Sequence, residues 1–287
     1  MSASIHDARI CTLGEGPLWH PERQQLFWFD IIGQRLLTQE NGHERSWSWD
    51  MPCSAAGWVS KTQLMVATAT ALELLDLETG ARETVAPLEA DIPTTRSNDG
   101  RADPQGGFWI GTMGRKLEPE TGAIYRYYRG ELRQLYAPIT IPNAICFTPD
   151  GGHAYFADTH QQTVWRVALD AQGWPRDTPE VFLDTRAEKL LPDGAVVAAD
   201  GTFWNAQWGA GRIAVYDPQG RFLHALPLPA AQTTCPAFGG PDLKTIFCTS
   251  AAEGLSSAQL DAAPHSGKTF LATSAAACGQ AEHKVIL

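Results

Sequence analysis

Six recurrences of one phrase, their near-regular spacing and the lack of any sustained helical period predict an all-β protein, a six-bladed β-propeller. A single domain over residues 1–287 is expected, because no linker interrupts the repeats and closed β architectures often exceed 200 residues. The phrase is a turn rich in Gly, Pro and Asp, followed by a short aromatic and β-branched run. It reads GPLWHPERQQLFWFDI (16–31), GWVSKTQLMVAT (57–68), DGRADPQGGFWIGTM (99–113), NAICFTPDGGHAYFADT (143–159), DGAVVAADGTFWNAQW (193–208) and PAFGGPDLKTIFCTS (236–250). Aligned on Phe27, Met65, Trp109, Tyr155, Trp204 and Phe247, the copies step by 38, 44, 46, 49 and 43 residues, the length of a four-stranded blade.

Between copies lies a second, hairpin-like pattern, as in ALELLDLETGARETV (71–85) and GRIAVYDPQGRFLHALPL (211–228), where Thr79-Gly80 and Gln219-Gly220 separate alternating apolar runs. Two hairpins per repeat make four strands. A long β-sandwich is the competing architecture, but sandwiches do not repeat at a steady blade length. The segment SIHDARICTL near the amino terminus precedes the first repeat and is placed to close the ring against the last blade. A short helical turn is expected near Arg186 to Leu190.

Composition narrows the function classes. Twenty-two basic against 32 acidic residues, a formal charge of −10, disfavour nucleic acid and anionic membranes as partners. No apolar run reaches the roughly 18 residues of a membrane span, and the amino terminus lacks a secretory pattern, so a cytoplasmic location is expected. Six scattered cysteines without a CxxC pair read as reduced, mostly buried thiols. There is no GxSxG elbow, HExxH pair, phosphate loop or dinucleotide fingerprint.

In a propeller the inner strand of each blade lines the channel, so polar residues at strand entrances gather at one mouth. Four repeats carry such residues: Glu15 in the first, Arg96, Asn98 and Asp99 in the third, Asn143 in the fourth and Asp193 in the fifth. The second offers only Ser54, and the sixth Thr233, Thr234 and Cys235. Pro17, Pro142 and Pro192 stand beside three of these positions and mark strand entrances. Glu15, Asn143 and Asp193 supply two carboxylates and an amide oxygen, a set suited to one divalent cation, whether Ca, Mg, Zn, Mn or Fe(II). Each residue alone also fits a turn or a backbone-amide acceptor; their equivalent offsets are what set them apart. Trp19, Trp58 and Trp208 are candidates to face the same mouth.

The segments LGEGPLWHPERQQLFWFDI, RSNDGRADPQGGFWIGTM, IPNAICFTPDGGHAYFADT and LPDGAVVAADGTFWNAQWGAGRIAVYDPQG, taken in order from about Cys11 to Leu255, resemble the gluconolactonase, senescence marker protein and regucalcin family. That family includes bacterial sugar-acid lactonases of the xylonolactonase kind. The resemblance implies a six-bladed propeller whose mouth holds a divalent cation through Glu15, Asn143 and Asp193. It also implies that Arg96 and Asn98 contact substrate oxygens, with Asn98 close to the metal. The expected activity is opening of a small-molecule sugar lactone, with the cation polarising the carbonyl and Asp193 serving additionally as the catalytic group that orients or deprotonates water. After GTM, where relatives that take neutral lactones can carry an acid, this chain has Arg115 and Lys116, which are expected to favour a substrate with an anionic tail. The alternatives are a phosphotriesterase-like esterase on the same site and a calcium-binding or protein-interaction propeller without catalysis.

Overall fold

The computed structural model describes residues 3–274 and 277–287. Their strands form six four-stranded antiparallel sheets arranged as the blades of a propeller. Five blades are built from consecutive strands, inner to outer, as the paired hairpins of each repeat require. The sixth is composite: Thr233–Gly239, Thr245–Ser250 and Thr269–Thr273 are joined at the outer edge by Ser4–Asp7 from the amino-terminal segment. Ser4 lies opposite Leu271 and Ile5 opposite Phe270. Asp7 anchors this strand to blade 1, accepting from Gln39 Nε2 at 2.7 Å and pairing with Arg9, whose Nη2 donates to Thr38 O at 2.9 Å. The closure therefore ties the first repeat to the last through a shared blade.

The apolar core lies between blades. Phe27, Phe29 and Trp47 of blade 1 pack on Leu64 and Val66 of blade 2, and Tyr155 and Ala157 of blade 4 pack on Phe203 and Ala214 of blade 5. The aromatic run of the repeated phrase thus supplies the filling that a radial fold needs. Of the six cysteines, all but the half-buried Cys278 are buried, and all are free thiols. Arg186 to Leu190 forms hydrogen-bonded turns without a helix. The helix among the described residues is Ser257–Ala262, started by a reciprocal cap between Ser256 and Gln259.

The inner strands Gly14–His20, Cys53–Ser60, Thr95–Ala102, Pro142–Phe147, Leu191–Val197 and Thr233–Gly239 run in the same sense around the channel. Their first residues gather at one mouth and their last at the opposite end. At that far end the carboxy-terminal residues cross beneath the ring. Gln280 Nε2 donates to Phe147 O (2.8 Å) and Val197 O (2.9 Å), Glu282 pairs with Arg101, and Val285 N donates to Trp58 O at 2.9 Å. Gly57 is required there, since a β-carbon on it would stand 2.5 Å from Val285 Cγ2. The tail acts as a plug packed across the far ends of these inner strands.

Candidate functional site

Each inner strand breaks register with its neighbour near its entrance: between Glu15 and Leu18, Ser97 and Gly100, Asn143 and Cys146, Pro192 and Ala195, Thr233 and Pro236, with a smaller break between Cys53 and Ala55. A bulge adds an unpaired residue and re-aims the side chains beside it. Here it brings consecutive positions, such as Asn98 and Asp99, into the channel region. Two bulges need left-handed backbone, Gly16 at φ 52° and Ala144 at φ 56°. Gly16 has a second reason to be glycine: a β-carbon would lie 2.2 Å from Ser54 O of the next blade. Glu15 is flanked by glycines because its backbone runs hard against neighbouring chain on both sides, with Gly14 equally crowded by Ser250 O.

The bulges open onto a cavity of about 240 Å³ at the mouth. Its polar lining comprises Glu15, Arg96, Asn98, Asn143, Thr159, Asp193 and Glu253, and its apolar walls include Leu13, Met113, Leu117, Ile141, Leu191 and Trp208. On the two blades without an acid or amide, small hydroxyls bind neighbouring chain instead, Ser54 Oγ to Ser97 Oγ at 2.8 Å and Thr234 Oγ1 to Gly14 O at 2.6 Å.

A hydrogen-bond relay sets the amides. Thr159 Oγ1 donates to Pro192 O at 2.6 Å, so it can only accept from Asn143 Nδ2, at 2.8 Å. That orients Asn143 with its Oδ1 toward Asn98 Nδ2, which donates to it at 3.1 Å and to Pro142 O at 2.9 Å. Asn98 Oδ1 in turn accepts from Arg96 Nη1 at 2.8 Å. The chain runs from a guanidinium on blade 3 to a carbonyl on blade 5, and every amide in it has one orientation.

The acids are set differently. Glu15 Oε2 accepts from Gly16 N at 2.8 Å and Asp193 Oδ1 from Gly194 N at 3.1 Å, and the two buried carboxyl groups line the same cavity. Burial pushes the Glu15 carboxyl up to about 8, with the charge of Asp99 adding to it; burial and the charge of Glu15 push Asp193 well above the usual carboxylate range. Asp99 itself, held by Ile145 N at 2.7 Å, is pushed to about 6 by burial. Arg96 is lowered to about 10 by burial and remains cationic at neutral pH.

These shifts carry a sign for stability. Carboxyls raised on folding stabilise the protein fully below their unfolded pKa of about 4, and that contribution is lost as pH rises through the folded values. The melting temperature of cation-free protein is therefore expected to fall between pH 5 and 9, measured by scanning calorimetry after exhaustive chelation. A flat profile would mean that the acids are solvated.

Of the residues anticipated from the sequence, Glu15, Arg96, Asn98, Asn143 and Asp193 all line this one cavity. Arg115 and Lys116 do not: the Arg115 Nε turns back to Thr95 O at 2.9 Å, and Lys116 lies exposed beside Glu118. Leu117, in left-handed backbone at φ 61°, lines the cavity rim from that loop with its side chain largely exposed, and Arg115 is near enough for its charge to lower Arg96. Of the three tryptophans, Trp208 lines the cavity, Trp19 stacks on Phe247 in the core, and Trp58 meets the carboxy-terminal plug. Thr159 and Glu253 were not foreseen. A threonine after the strand-ending Asp158 is a common turn pattern, and Glu253 lies outside the repeated phrase.

An oxygen-only set of two buried carboxyls and an amide oxygen, with negative charge in excess and no histidine or cysteine in the lining, fits a hard divalent cation. The fold and the site together define a six-bladed propeller with an acid-and-amide cavity at the mouth of its channel. Residues 13–252 match the SMP-30/Gluconolactonase/LRE-like region, and the chain belongs to that family. It is 41% identical to a putative sugar lactone lactonase of Rhizobium meliloti (strain 1021), covering 90% of this chain and 88% of that protein. It is 33% identical to 6-deoxy-6-sulfogluconolactonase of Pseudomonas putida, covering 90% of each. Among solved structures, a calcium-binding protein, regucalcin, from Agrobacterium tumefaciens superposes with a TM-score of 0.96 at 40% identity, over 99% of this chain and 97% of that one.

Proposed function

We propose that this protein hydrolyses a sugar lactone to the sugar acid at the mouth cavity, with one divalent cation held by Glu15, Asn143 and Asp193. The observation that carries the reading is the convergence on one cavity of two buried carboxyls and a singly oriented amide oxygen. The lactonase names of relatives at 33–41% identity over most of the chain support the substrate class. When bound, the cation acts as a Lewis acid on the lactone carbonyl and makes a nearby water more acidic.

The chain's own residues do the rest. Arg96 and Asn98 lie beside the acids and orient the lactone, the guanidinium also countering negative charge that develops on oxygen. Gly194 N occupies one lone pair of Asp193 Oδ1, so a carboxylate that gives one further lone pair to the cation would still have one to take a proton from water. Water adds to the carbonyl carbon, the ring C–O bond breaks, and the proton held on Asp193 passes to the departing ring oxygen. The acid product releases a proton at neutral pH. Met113, Ile141 and Trp208 wall the cavity and limit bulk water at the reacting carbon.

A pH-indicator assay across aldonolactones, after chelation and re-addition of single cations, tests the reading. Opening that is lost on chelation and restored by a divalent cation supports it; a purified protein inert to every lactone with cation restored would refute it. Organophosphate esters in the same assay separate the phosphotriesterase alternative. Thr159→Val removes the acceptor that orients Asn143 while conserving volume. It is expected to weaken cation binding by about 10- to 100-fold with the fold intact, read by calorimetric titration. Unchanged affinity would show that Asn143 needs no such partner.

A further inference from the structure

Glu253 is the acid of the cavity lining that no bulged inner strand supplies. It sits on the loop that follows Thr245–Ser250 and precedes the Ser257–Ala262 helix. The loop is tied down at this point: Gln232 Nε2 donates to Glu253 O at 2.9 Å, Ala251 N donates to Gln232 O at 2.9 Å, and Ala252 N donates to Thr12 O at 3.0 Å. The exposed carboxylate, by contrast, makes no hydrogen bond or ion pair among the described residues. A fixed backbone carrying an uncommitted acceptor at a cavity rim is arranged to meet something that enters.

Arg96 faces it. This guanidinium spends Nη1 on Ser97 O and Asn98 Oδ1, and Glu253 is the neighbouring acid whose charge it feels most strongly. The cavity thus has an acceptor on the blade 6 side and a donor on the blade 3 side, above the Glu15 and Asp193 pair. Counting the lining side chains alone, three carboxyls face one guanidinium. A cation held by two of the acids would leave Glu253 as the uncommitted negative charge that an entering substituent meets at this side of the rim.

We propose that Glu253 is a specificity-determining residue that accepts hydrogen bonds from hydroxyls at the exocyclic end of the lactone and turns away lactones whose tail is anionic. The assignment rests on the lactonase reading of the same cavity. It predicts a neutral polyhydroxy lactone as the preferred substrate class, in place of the anionic one that Arg115 and Lys116 suggested.

The test compares two substrates: a six-carbon aldono-1,5-lactone with a hydroxyl at carbon 6, and its counterpart with a sulfonate there. For the wild type kcat/KM is expected to favour the neutral lactone by about tenfold or more, the range of one charge-assisted hydrogen bond. Glu253→Gln should reduce that ratio by about tenfold, mainly through KM, and Glu253→Lys should invert it. A general loss of folding would lower both rates together and leave the ratio alone. Wild-type protein that opens the lactones, with a ratio unmoved within twofold in both variants, overturns the Glu253 assignment alone. Wild-type protein that opens neither overturns the lactonase reading, and this assignment with it.

Discussion

Asp193→Ala is expected to lower lactone turnover by about 10³-fold or more and to weaken cation binding, because it removes a proposed ligand and the proposed proton acceptor together. Asp193→Asn separates the two roles. An amide keeps the shape and one oxygen donor but cannot take a proton, so kcat should fall by about 10²- to 10⁴-fold while more of the cation affinity survives. Steady-state kinetics beside calorimetric titration reads both. The same substitutions carry an opposite expectation for stability. Burial and the charges of Glu15 and Asp99 oppose ionisation of Asp193, so removing this carboxyl should raise the cation-free melting temperature at pH 8. A site that is costly without its ligand and silent without its acid is what functional burial predicts. An Asp193→Ala variant with normal turnover and normal cation content would remove the basis of the proposed function.

Glu282→Ala is expected to cost about 3–5 kcal/mol of stability, because it strands the buried Arg101 guanidinium beneath the channel. For a chain of this size that corresponds to a fall of roughly 10 °C in melting temperature, read by thermal denaturation at pH 7. The loss extends beyond the ion pair. Glu282 O accepts from Trp58 Nε1 at 2.8 Å, and the adjoining Val285 fills the space left by Gly57. Replacing both partners by apolar residues, Arg101→Met with Glu282→Leu, should recover most of the stability, since the pair's own desolvation cost disappears with it. The plug lies at the opposite end of the inner strands from the cavity, so KM for the lactone should stay within about twofold where the protein remains folded. A loss below about 1 kcal/mol would show that the pair is effectively solvated.

The architecture was legible because it follows from local chemistry. Turn residues such as Thr79-Gly80 and Gln219-Gly220 specify hairpins, and the aromatic run of each repeat specifies a strand buried between blades. The strand entrances were legible for the same reason, and with them the positions of Glu15, Asn143 and Asp193. The misplaced helix shows the limit of that reasoning. Arg186 to Leu190 lacks a cap and forms turns, whereas Ser256 and Gln259 cap a helix of six residues.

Sequence alone determined the blade count, the inner strands and the residues that begin them, because each depends on contacts within a few residues. Tertiary structure decided where side chains point and what meets them. The left-handed turn at Ala144, Leu117 at the cavity rim, Thr159 committed to Pro192, and Glu253 in the same lining as Arg96 all depend on closing the ring. So does the plug, whose ion pair joins residues 181 apart in the chain. A turn or a strand is chosen by local backbone preference and hydrophobic period, whereas a non-local contact between polar side chains leaves no periodic trace and exists only once the blades are packed.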